Sequence, residues 1–209
     1  MFRKLTPAVR TLLYVNLIVY ALERFTGDGR TTDFLLSQFA LWPIGSAQAG
    51  SPAFQPWQVV TYAFLHDPSS YLHILGNMFA LYMFGPDVEL VLGSRRFVAY
   101  YFVCIVGAAL TQLFVMHSLY PSPEPTLGAS GGIFGLLLFF GVTFPRRQLL
   151  LVFPPIPMPA WLFVALYGLL ELGLGVFGTS QGVAHFAHLG GMAAGAAMML
   201  FWRGRYAAK

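Results

Sequence analysis

The residues of this chain that can carry chemistry are a serine, two histidines and an asparagine, each near the start of an apolar run. Ser130 lies in Gly-Ala-Ser-Gly-Gly (residues 128–132), and His188 lies in an Ala-His-Leu-Gly-Gly segment. A serine hydroxyl becomes a nucleophile when a histidine accepts its proton, so Ser130 and His188 suffice for acyl transfer. His73 and Asn77 share a helix face and can donate hydrogen bonds to a developing oxyanion, together with the backbone N–H of Ser130.

The apolar run that Ser130 opens is too short to cross a membrane. It ends near Phe144, before Arg146 and Arg147, and so holds about 15 residues, or about 22 Å of helix, against a bilayer core about 30 Å thick. If the arginines mark one surface, Ser130 lies about 8 Å below the other, where irregular backbone must be buried or line a watery cavity. The alternative is that the small residues of this stretch only let helices pack closely.

The composition indicates a membrane protein. Of the 209 residues, 57% are hydrophobic and 10% are charged, whereas soluble domains carry about 25% charged residues. We predict one membrane domain, residues 1–209, with six spans. Cys104 is the only cysteine, which excludes an internal disulfide and a cysteine-based metal cluster. No small-residue cleavage site follows the first apolar run, so we predict that it is retained as a span.

The apolar runs place the six spans at about residues 5–22, 71–84, 97–117, 130–144, 160–177 and 184–202. A long connection after the first span contains a short interfacial segment, residues 34–42, with Trp42 and Trp57 as anchors at the headgroup level. With six spans, ten of the twelve basic residues fall on one side. The positive-inside rule then makes both termini cytoplasmic. Topology thus accounts for the net charge of +4, and we expect no nucleic-acid partner.

The even-numbered spans enter from the outer side, which brings the polar residues to one depth. We place His73, Asn77, Ser130 and His188 about 3, 9, 8 and 9 Å below that surface. No Asp or Glu lies at that depth on the even-numbered spans, so we predict a Ser–His dyad and not a triad. Small residues predict that the fourth and sixth spans approach to backbone contact: Gly131, Gly135, Gly190, Gly191 and Gly195.

These motifs resemble the three signature motifs of the rhomboid intramembrane serine proteases. The residues that carry the resemblance are Gly-Ala-Ser-Gly at 128–131, His73-x-x-x-Asn77, and Ala-His-Leu-Gly-Gly-x-x-x-Gly at 187–195, in the family's order. The resemblance covers nearly the whole chain. It implies cleavage of single-span membrane proteins in or near their transmembrane segment, without a metal or cofactor. It also implies roles for individual residues: the nucleophile Ser130, the general base His188, and the oxyanion-supporting residues His73, Asn77 and Gly128.

Two positions depart from the family pattern. Phe134 stands where the family often has a tyrosine that packs against the base, and its phenyl ring can still stack on His188. Trp57 matches the tryptophan of a Trp-Arg pair in the first loop, but Gln58 replaces the arginine. This replacement leaves the docking of the first loop open.

The other polar residues have simpler explanations. His66 precedes the second span and is expected to contact water, with cavity hydration as an alternative. His185 is expected to face a loop or make a hydrogen bond, and not to act as a second base. Glu171, inside the fifth span, either gates substrate access or hydrogen-bonds a neighbour, and we favour the hydrogen bond. Histidine pairs can bind zinc, but we expect no third ligand nearby and therefore no metal site.

We therefore predict an all-α polytopic membrane protein, a six-transmembrane-helix bundle with a long first outer loop and a short fourth helix that starts within the membrane. Its predicted activity is that of an intramembrane serine endopeptidase, with single-span substrates and the lipid bilayer as partners. The lack of any extension favours a bacterial inner membrane. One alternative is an inactive client-binding relative, which would require the loss of Ser130 or His188. The other is a small transporter, which would show inverted repeats and a site near the bilayer centre.

Overall fold

Eight α-helices and one short β-ribbon form the described part of the chain in this computed structural model, which covers residues 4–25, 29–150, 155–177 and 182–207. Two single turns of 3₁₀-helix, Ser46–Ala49 and Tyr62–Phe64, lie in the connection before α4. The helices are α1 (Pro7–Phe25), α2 (Arg30–Phe39), α3 (Gln58–Thr61), α4 (Tyr71–Leu92), α5 (Ser94–Ser118), α6 (Ser130–Thr143), α7 (Ala160–Phe177) and α8 (Gly182–Ala207).

Six of these helices, α1 and α4 to α8, correspond to the six predicted apolar runs. By length and composition, α5 and α7 are long and apolar enough to cross a membrane, and α6 is a shorter apolar helix, among the described residues. With 14 residues, α6 is about 21 Å long, which confirms the prediction of a short fourth helix. Much of α7 presents apolar side chains outward, including Leu169 and Phe177, which are 64% and 89% exposed.

The helix α4 continues to Leu92 through Pro86, well beyond the predicted end near Phe84. The added turns carry Glu89, whose two carboxylate oxygens accept the N–H groups of Ala8 and Val9 at 3.0 and 2.9 Å. The first N–H groups of a helix lack partners within that helix, and a carboxylate there also complements the helix dipole. The extension of α4 therefore caps α1, a role that hydropathy alone does not reveal.

The connection between α6 and α7 contains a short antiparallel ribbon, which the predicted all-α bundle did not include. Its strands are β1 (Gln148–Leu150) and β2 (Pro157–Pro159), paired with Leu149 opposite Met158. Proline fixes its own φ and biases the preceding residue toward extended backbone, so a Pro-Met-Pro segment favours a strand. Because prolines cannot donate to a ladder, the ribbon stays short.

The start of α1 lies at the same end of the bundle as the ends of α4 and α6. Besides the Glu89 cap, Arg147 at the end of α6 forms an ion pair with Asp87 of α4 at 2.7 Å. The helices α4 and α6 therefore both run opposite to α1. Arg3 and Lys209, two of the basic residues used to predict topology, lie outside the described residues.

The predicted backbone contact between the fourth and sixth apolar helices centres on Gly191, whose carbonyl oxygen lies 3.3 Å from the position of an added Cβ on Gly135. A Cβ added to Gly191 would overlap the carbonyl oxygen of Gly131, so α6 and α8 touch directly there. The prediction was wrong for Gly190 and Gly195, because added Cβ atoms there would meet Thr111 and Tyr100 of α5. The helix α8 thus packs closely against two neighbours, and its interface with α5 is the larger.

Candidate active site

The side chains of Ser130 and His188 meet at the start of α6. The Oγ of Ser130 is 2.8 Å from Nε2 of His188. The contact between Gly131 and Gly191 lies next to this pair on both helices, and it brings the two side chains within hydrogen-bond distance. The structure thus brings together the two residues that the sequence predicts as nucleophile and base, in a geometry that permits proton transfer.

A carboxylate also joins this pair, which the sequence analysis did not predict. Oε2 of Glu171 is 2.8 Å from Nδ1 of His188 and 2.6 Å from Nδ1 of His185. The prediction of a dyad without an acid considered only the even-numbered spans, whereas Glu171 reaches the histidines from α7. The predicted hydrogen bond of Glu171 to a neighbour is confirmed.

The same three residues correct the expectation that no third ligand lies near the histidine pair. The ligand atoms of Glu171, His185 and His188 lie within 4.8 Å of one another and can hold a metal ion. Two ligands on one tetrahedral zinc would be about 3.3 Å apart, whereas Oε2 of Glu171 lies 2.6 and 2.8 Å from the two nitrogens. These separations are those of hydrogen bonds.

The ring of His188 is held by aromatic stacking. Phe134 stacks on it with ring centroids 4.2 Å apart and planes 7° apart, and Tyr167 stacks on Phe134 at 5.1 Å. The stacking expected of Phe134 is therefore confirmed. Together with the hydrogen bonds at its two nitrogens, the stacking fixes the plane and rotation of the imidazole.

His73 is oriented by the connection that precedes α4. The backbone N–H of Asp67 donates to Nδ1 of His73 at 3.2 Å. Because Nδ1 accepts a hydrogen bond, the proton of the neutral ring lies on Nε2. The Asp67 carboxylate in turn accepts the N–H and O–H of Ser69 at 2.8 and 2.6 Å, and these bonds, the side-chain bond foremost, lower its pKa.

Nε2 of His73 and the serine hydroxyl both border the space that Gly128 leaves open. A Cβ added to Gly128 would lie 2.8 Å from Nε2 of His73 and 3.9 Å from Oγ of Ser130. The φ of Gly128 is +120°, a backbone conformation that residues with a side chain rarely adopt. Glycine is required here both for its backbone conformation and for the space it leaves.

Asn77 lies one turn after His73 on α4, and its side chain donates to the carbonyl of His73 at 2.9 Å. This bond lies within α4, so it does not support a role for Asn77 in joining helices. The bond to His73 uses one of the two N–H donors of the Asn77 amide. Asn77 lines the same cavity as Ser130 and His188.

The loop before Ser130 is held by residues that the sequence analysis missed. Leu41 and Thr126 exchange two backbone hydrogen bonds of 2.9 Å, and the N–H of Gly128 donates to the carbonyl of Tyr62 at 3.0 Å. The hydroxyl of Tyr62 donates to the carbonyl of Ile105 on α5 at 2.9 Å. No spacing rule in the sequence indicates these long-range contacts.

The site opens onto a cavity of about 850 Å³ that lies between α4 and α7. Residues of α4, α6, α7, α8 and β1 line it, and most of them are apolar. Its polar lining consists of His73, Asn77, Ser130, Tyr167 and His188. An apolar cavity with a small cluster of polar groups is typical of a binding or catalytic site.

Comparison with known proteins agrees with the motifs and the fold. The family model for the Rhomboid domain matches residues 53–205. The chain belongs to the rhomboid family. The match includes every residue predicted for the site and five of the six long helices, α4 to α8, in full or nearly so.

Several relatives within the rhomboid family are similar to this chain. The rhomboid protease GlpG of Photorhabdus laumondii is 27% identical over 207 residues, which cover 99% of this chain and 65% of GlpG. The mitochondrial rhomboid protein 1 of Saccharomyces cerevisiae is 33% identical over 109 residues, 49% of this chain and 30% of that protein. The putative rhomboid protease YdcA of Bacillus subtilis is 33% identical over 86 residues, 41% of this chain and 39% of YdcA. The chain thus spans less than two thirds of the length of each.

The first loop shows how this rhomboid chain accommodates glutamine in place of arginine. Gln58 is fully buried, and its Oε1 accepts the N–H groups of Trp42 and Gln55 at 3.2 and 3.1 Å. The indole N–H of Trp57 donates to the carbonyl of Gln38 at 2.8 Å. The neutral amide of Gln58 therefore holds the loop through backbone groups.

His66 is buried, so the expectation that it contacts water was wrong. Its ring packs against that of His73 with centroids 5.1 Å apart, and its backbone N–H donates to the carboxylate of Glu23 at 3.1 Å. Burial lowers the pKa of His66 to about 3. The neutral ring of His66 therefore packs against the ring of His73 and helps to hold it in place.

Proposed function

We propose that this chain is an intramembrane serine endopeptidase that cleaves single-span membrane proteins in or near their transmembrane segment. The observation that carries the proposal is the 2.8 Å contact between Ser130 Oγ and His188 Nε2 at the wall of an apolar cavity. A relative that matches nearly the whole chain is named a rhomboid protease. The residues that acyl transfer requires are thus present in a member of a family that includes proteases.

In the acylation step, Ser130 Oγ forms a bond to the carbonyl carbon of the scissile peptide while its proton passes to Nε2 of His188. The carbonyl electron pair moves to the oxygen, which becomes the oxyanion. The carbon–nitrogen bond then breaks, and His188 gives its proton to the departing amine. Water repeats the sequence on the acyl-enzyme with His188 as base, which releases the carboxylic acid and restores the Ser130 hydroxyl.

Three kinds of donor stand where the oxyanion would form. Nε2–H of His73 and the serine hydroxyl border the same space left by Gly128, which supports His73 as one donor. Asn77 adds a side-chain amide on the same cavity wall. The N–H of Ser130 belongs to the first turn of α6, where backbone donors and the helix dipole favour negative charge.

The substrate would reach Ser130 through the cavity between α4 and α7. The helix α4 packs against α1, α5 and α6, whereas α7 packs against α6 and α8. The two helices thus share α6 as a neighbour, and the cavity lies between them. A substrate segment must unwind there, because the carbonyls of an intact helix are engaged in its own hydrogen bonds. We therefore expect cleavage near residues that break helices.

We further propose that α1 and α4 to α8 are six membrane spans with both termini in the cytoplasm, in a bacterial inner membrane. Basic residues in the first turn of α5 and just after α6 lie at the end of the bundle opposite the site, which the positive-inside rule places in the cytoplasm: Arg95, Arg96, Arg146 and Arg147. The site then faces the outer side.

The test uses the purified chain and a single-span substrate, both reconstituted in liposomes, with products identified by mass spectrometry. We expect the wild type to cut at one or a few bonds in or near the transmembrane segment. Ser130→Ala should cut none, and Ser118→Ala, an exposed serine at the end of α5, should cut as the wild type does. Cleavage by Ser130→Ala, or stable substrate binding without cleavage by the wild type, would contradict the proposal.

A further inference from the structure

The acid that joins the Ser130–His188 pair has no part in the mechanism derived above. Glu171 is one of four buried residues on α7, its side chain is 6% exposed, and it does not line the cavity between α4 and α7. Its carboxylate instead faces His185 and His188 on α8. A buried carboxylate that contacts a catalytic base calls for a functional explanation.

We propose that Glu171 is a positioning residue that extends the Ser130–His188 pair into a three-residue unit, with His185 as the second anchor of its carboxylate. The inference rests on the proposed protease function. It assigns to this chain a Ser–His–Glu arrangement in which the acid comes from the helix that borders the substrate cavity.

The hydrogen bonds determine which tautomer of His188 is present. An ionised carboxylate oxygen can only accept, so Oε2 of Glu171, at 2.8 Å, requires a proton on Nδ1 of His188. In the neutral ring the lone pair then lies on Nε2, which faces the Ser130 hydroxyl at 2.8 Å. In the other tautomer Nε2 carries the proton and cannot accept one from the serine.

The charge of Glu171 acts at the moment of proton transfer. When His188 takes the serine proton it becomes an imidazolium, and a carboxylate 2.8 Å from its other nitrogen stabilises that cation. The stabilisation is strongest where water is excluded, and the Glu171 side chain is almost fully buried. The interaction is stronger in the transition state than before it, which is the condition for raising kcat.

His185 holds the carboxylate in place. Its Nδ1 is 2.6 Å from the same Oε2 atom, so two imidazole N–H groups converge on one oxygen. The groups meet because α7 and α8 pack closely beside them. At Gly175 of α7, an added Cβ would lie only 3.1 Å from the ring of Phe186 on α8. The absence of a side chain at Gly175, one turn after Glu171, allows the two helices to approach at this depth.

The kinetic test compares Glu171→Gln, Glu171→Asp and a matched control, Glu89→Gln. Glu89 is also a buried acid, 2% exposed, but it caps α1 at the opposite end of the bundle. In liposomes, with active fractions set by titration, we expect Glu171→Gln to lower kcat by about tenfold or more with KM changed less than about twofold. Glu171→Asp, which keeps the charge, should retain more activity than Glu171→Gln, and Glu89→Gln should keep kcat within about twofold. A smaller fall in kcat for Glu171→Gln, or an equal fall for Glu89→Gln, would overturn the positioning role.

A second measurement does not depend on activity. Nitrogen-15 NMR of histidine-labelled protein distinguishes the two imidazole tautomers, and His188→Ala identifies the signals of His188. We expect Nδ1–H at His188 in the wild type and a loss of that preference in Glu171→Leu. Nε2–H at His188 in the wild type would overturn the inference even if the enzyme is active. If no substrate is cleaved by the wild type, the proposed function fails while the NMR result still decides the role of Glu171.

A metal-binding role for the same three side chains gives a different outcome. Activity that is lost on treatment with a chelator and restored by zinc would show that Glu171, His185 and His188 form a metal site, and it would overturn the positioning role. The hydrogen-bond distances predict that chelator leaves kcat unchanged.

Discussion

Gly128 shows how one missing side chain determines the position of His73, the proposed oxyanion donor. Its φ of +120° turns the chain into α6, and the space where a Cβ would be is bordered by His73 Nε2 at 2.8 Å. A larger residue would both strain the backbone and displace the imidazole of His73. The glycine therefore determines the position of the His73 ring as well as the turn into α6.

We predict that Gly128→Ala lowers kcat about 100-fold, because losing one oxyanion donor costs about that much. Cleavage kinetics in liposomes measure this effect. The matched control is Gly93→Ala, since Gly93 also has a positive φ, +75°, but nothing within 4 Å of an added Cβ. Equal losses of kcat in the two variants would mean that backbone strain alone, and not the displacement of His73, explains the effect.

At the residue scale, the sequence predicted the members of the site that lie in compact motifs. Ser130, His188 and His73 each stand at a fixed place near the start of an apolar run, so their depth could be estimated from helix rise alone. Glu171 could not be found in this way, because its role depends on how α7 is rotated and shifted against α8. The interhelical contact of Gly175 with Phe186 becomes visible only in three dimensions.

The α6–α8 interface is the element-scale feature on which the site depends. The two backbones touch at Gly131 and Gly191. Ser130 directly precedes Gly131, and its partner His188 lies about one turn before Gly191. An added methyl group cannot be accommodated by a side-chain movement, because the atom it would meet is a backbone carbonyl oxygen. The helices would have to separate, and the Ser–His hydrogen bond would lengthen.

We predict that Gly191→Ala destabilises the protein by about 1–3 kcal/mol, the usual cost of overpacking, and lowers the rate of Ser130 acylation. Thermal unfolding in detergent and single-turnover cleavage measure the two effects. Gly173→Ala on α7 is the control, since an added Cβ there meets nothing within 4 Å. An active and fully stable Gly191→Ala variant would contradict the packing described here.

Element bounds were predicted well where hydropathy determines them and poorly where tertiary contacts do. The bounds of α7, Ala160–Phe177, coincide with the apolar run. The end of α4 at Leu92 does not, because its last turns are stabilised by Glu89 bound to α1. The β-ribbon was missed because a proline-rich connection has no hydropathy period that indicates a strand.

At the scale of the whole molecule, the first loop, which connects α1 to α4, holds together the end of the bundle that contains the candidate site. Leu41 pairs with Thr126 ahead of the serine, Gln58 binds the loop, and the buried His66 supports His73. The sequence indicated that this connection is long but not that it packs over the site, since its contacts join residues far apart in the chain.

The burial of His66 predicts how stability depends on pH. Its pKa is about 3 in the folded chain, against an ordinary value of 6.5, so between these values the unfolded chain binds a proton that the folded chain does not. Stability is therefore fully present above pH 6.5 and falls as pH decreases toward 3, by about 1.4 kcal/mol per unit for this group.

Unfolding in detergent at several pH values tests this dependence. His66→Gln cannot titrate, so its stability should fall less steeply below pH 6.5 than that of the wild type. His117→Gln, at an exposed histidine near the end of α5, should keep the wild-type slope. A wild-type slope in His66→Gln would show that His66 is not responsible for the pH dependence.

If Ser130 and His188 form one catalytic unit, as we propose, a fluorophosphonate probe should react with the purified protein at Ser130. We expect mass spectrometry to find the probe on Ser130 in the wild type, and labelling to be lost in both Ser130→Ala and His188→Ala. His117→Ala should be labelled as the wild type is. Labelling of another serine, or labelling at an unchanged rate in His188→Ala, would contradict the account.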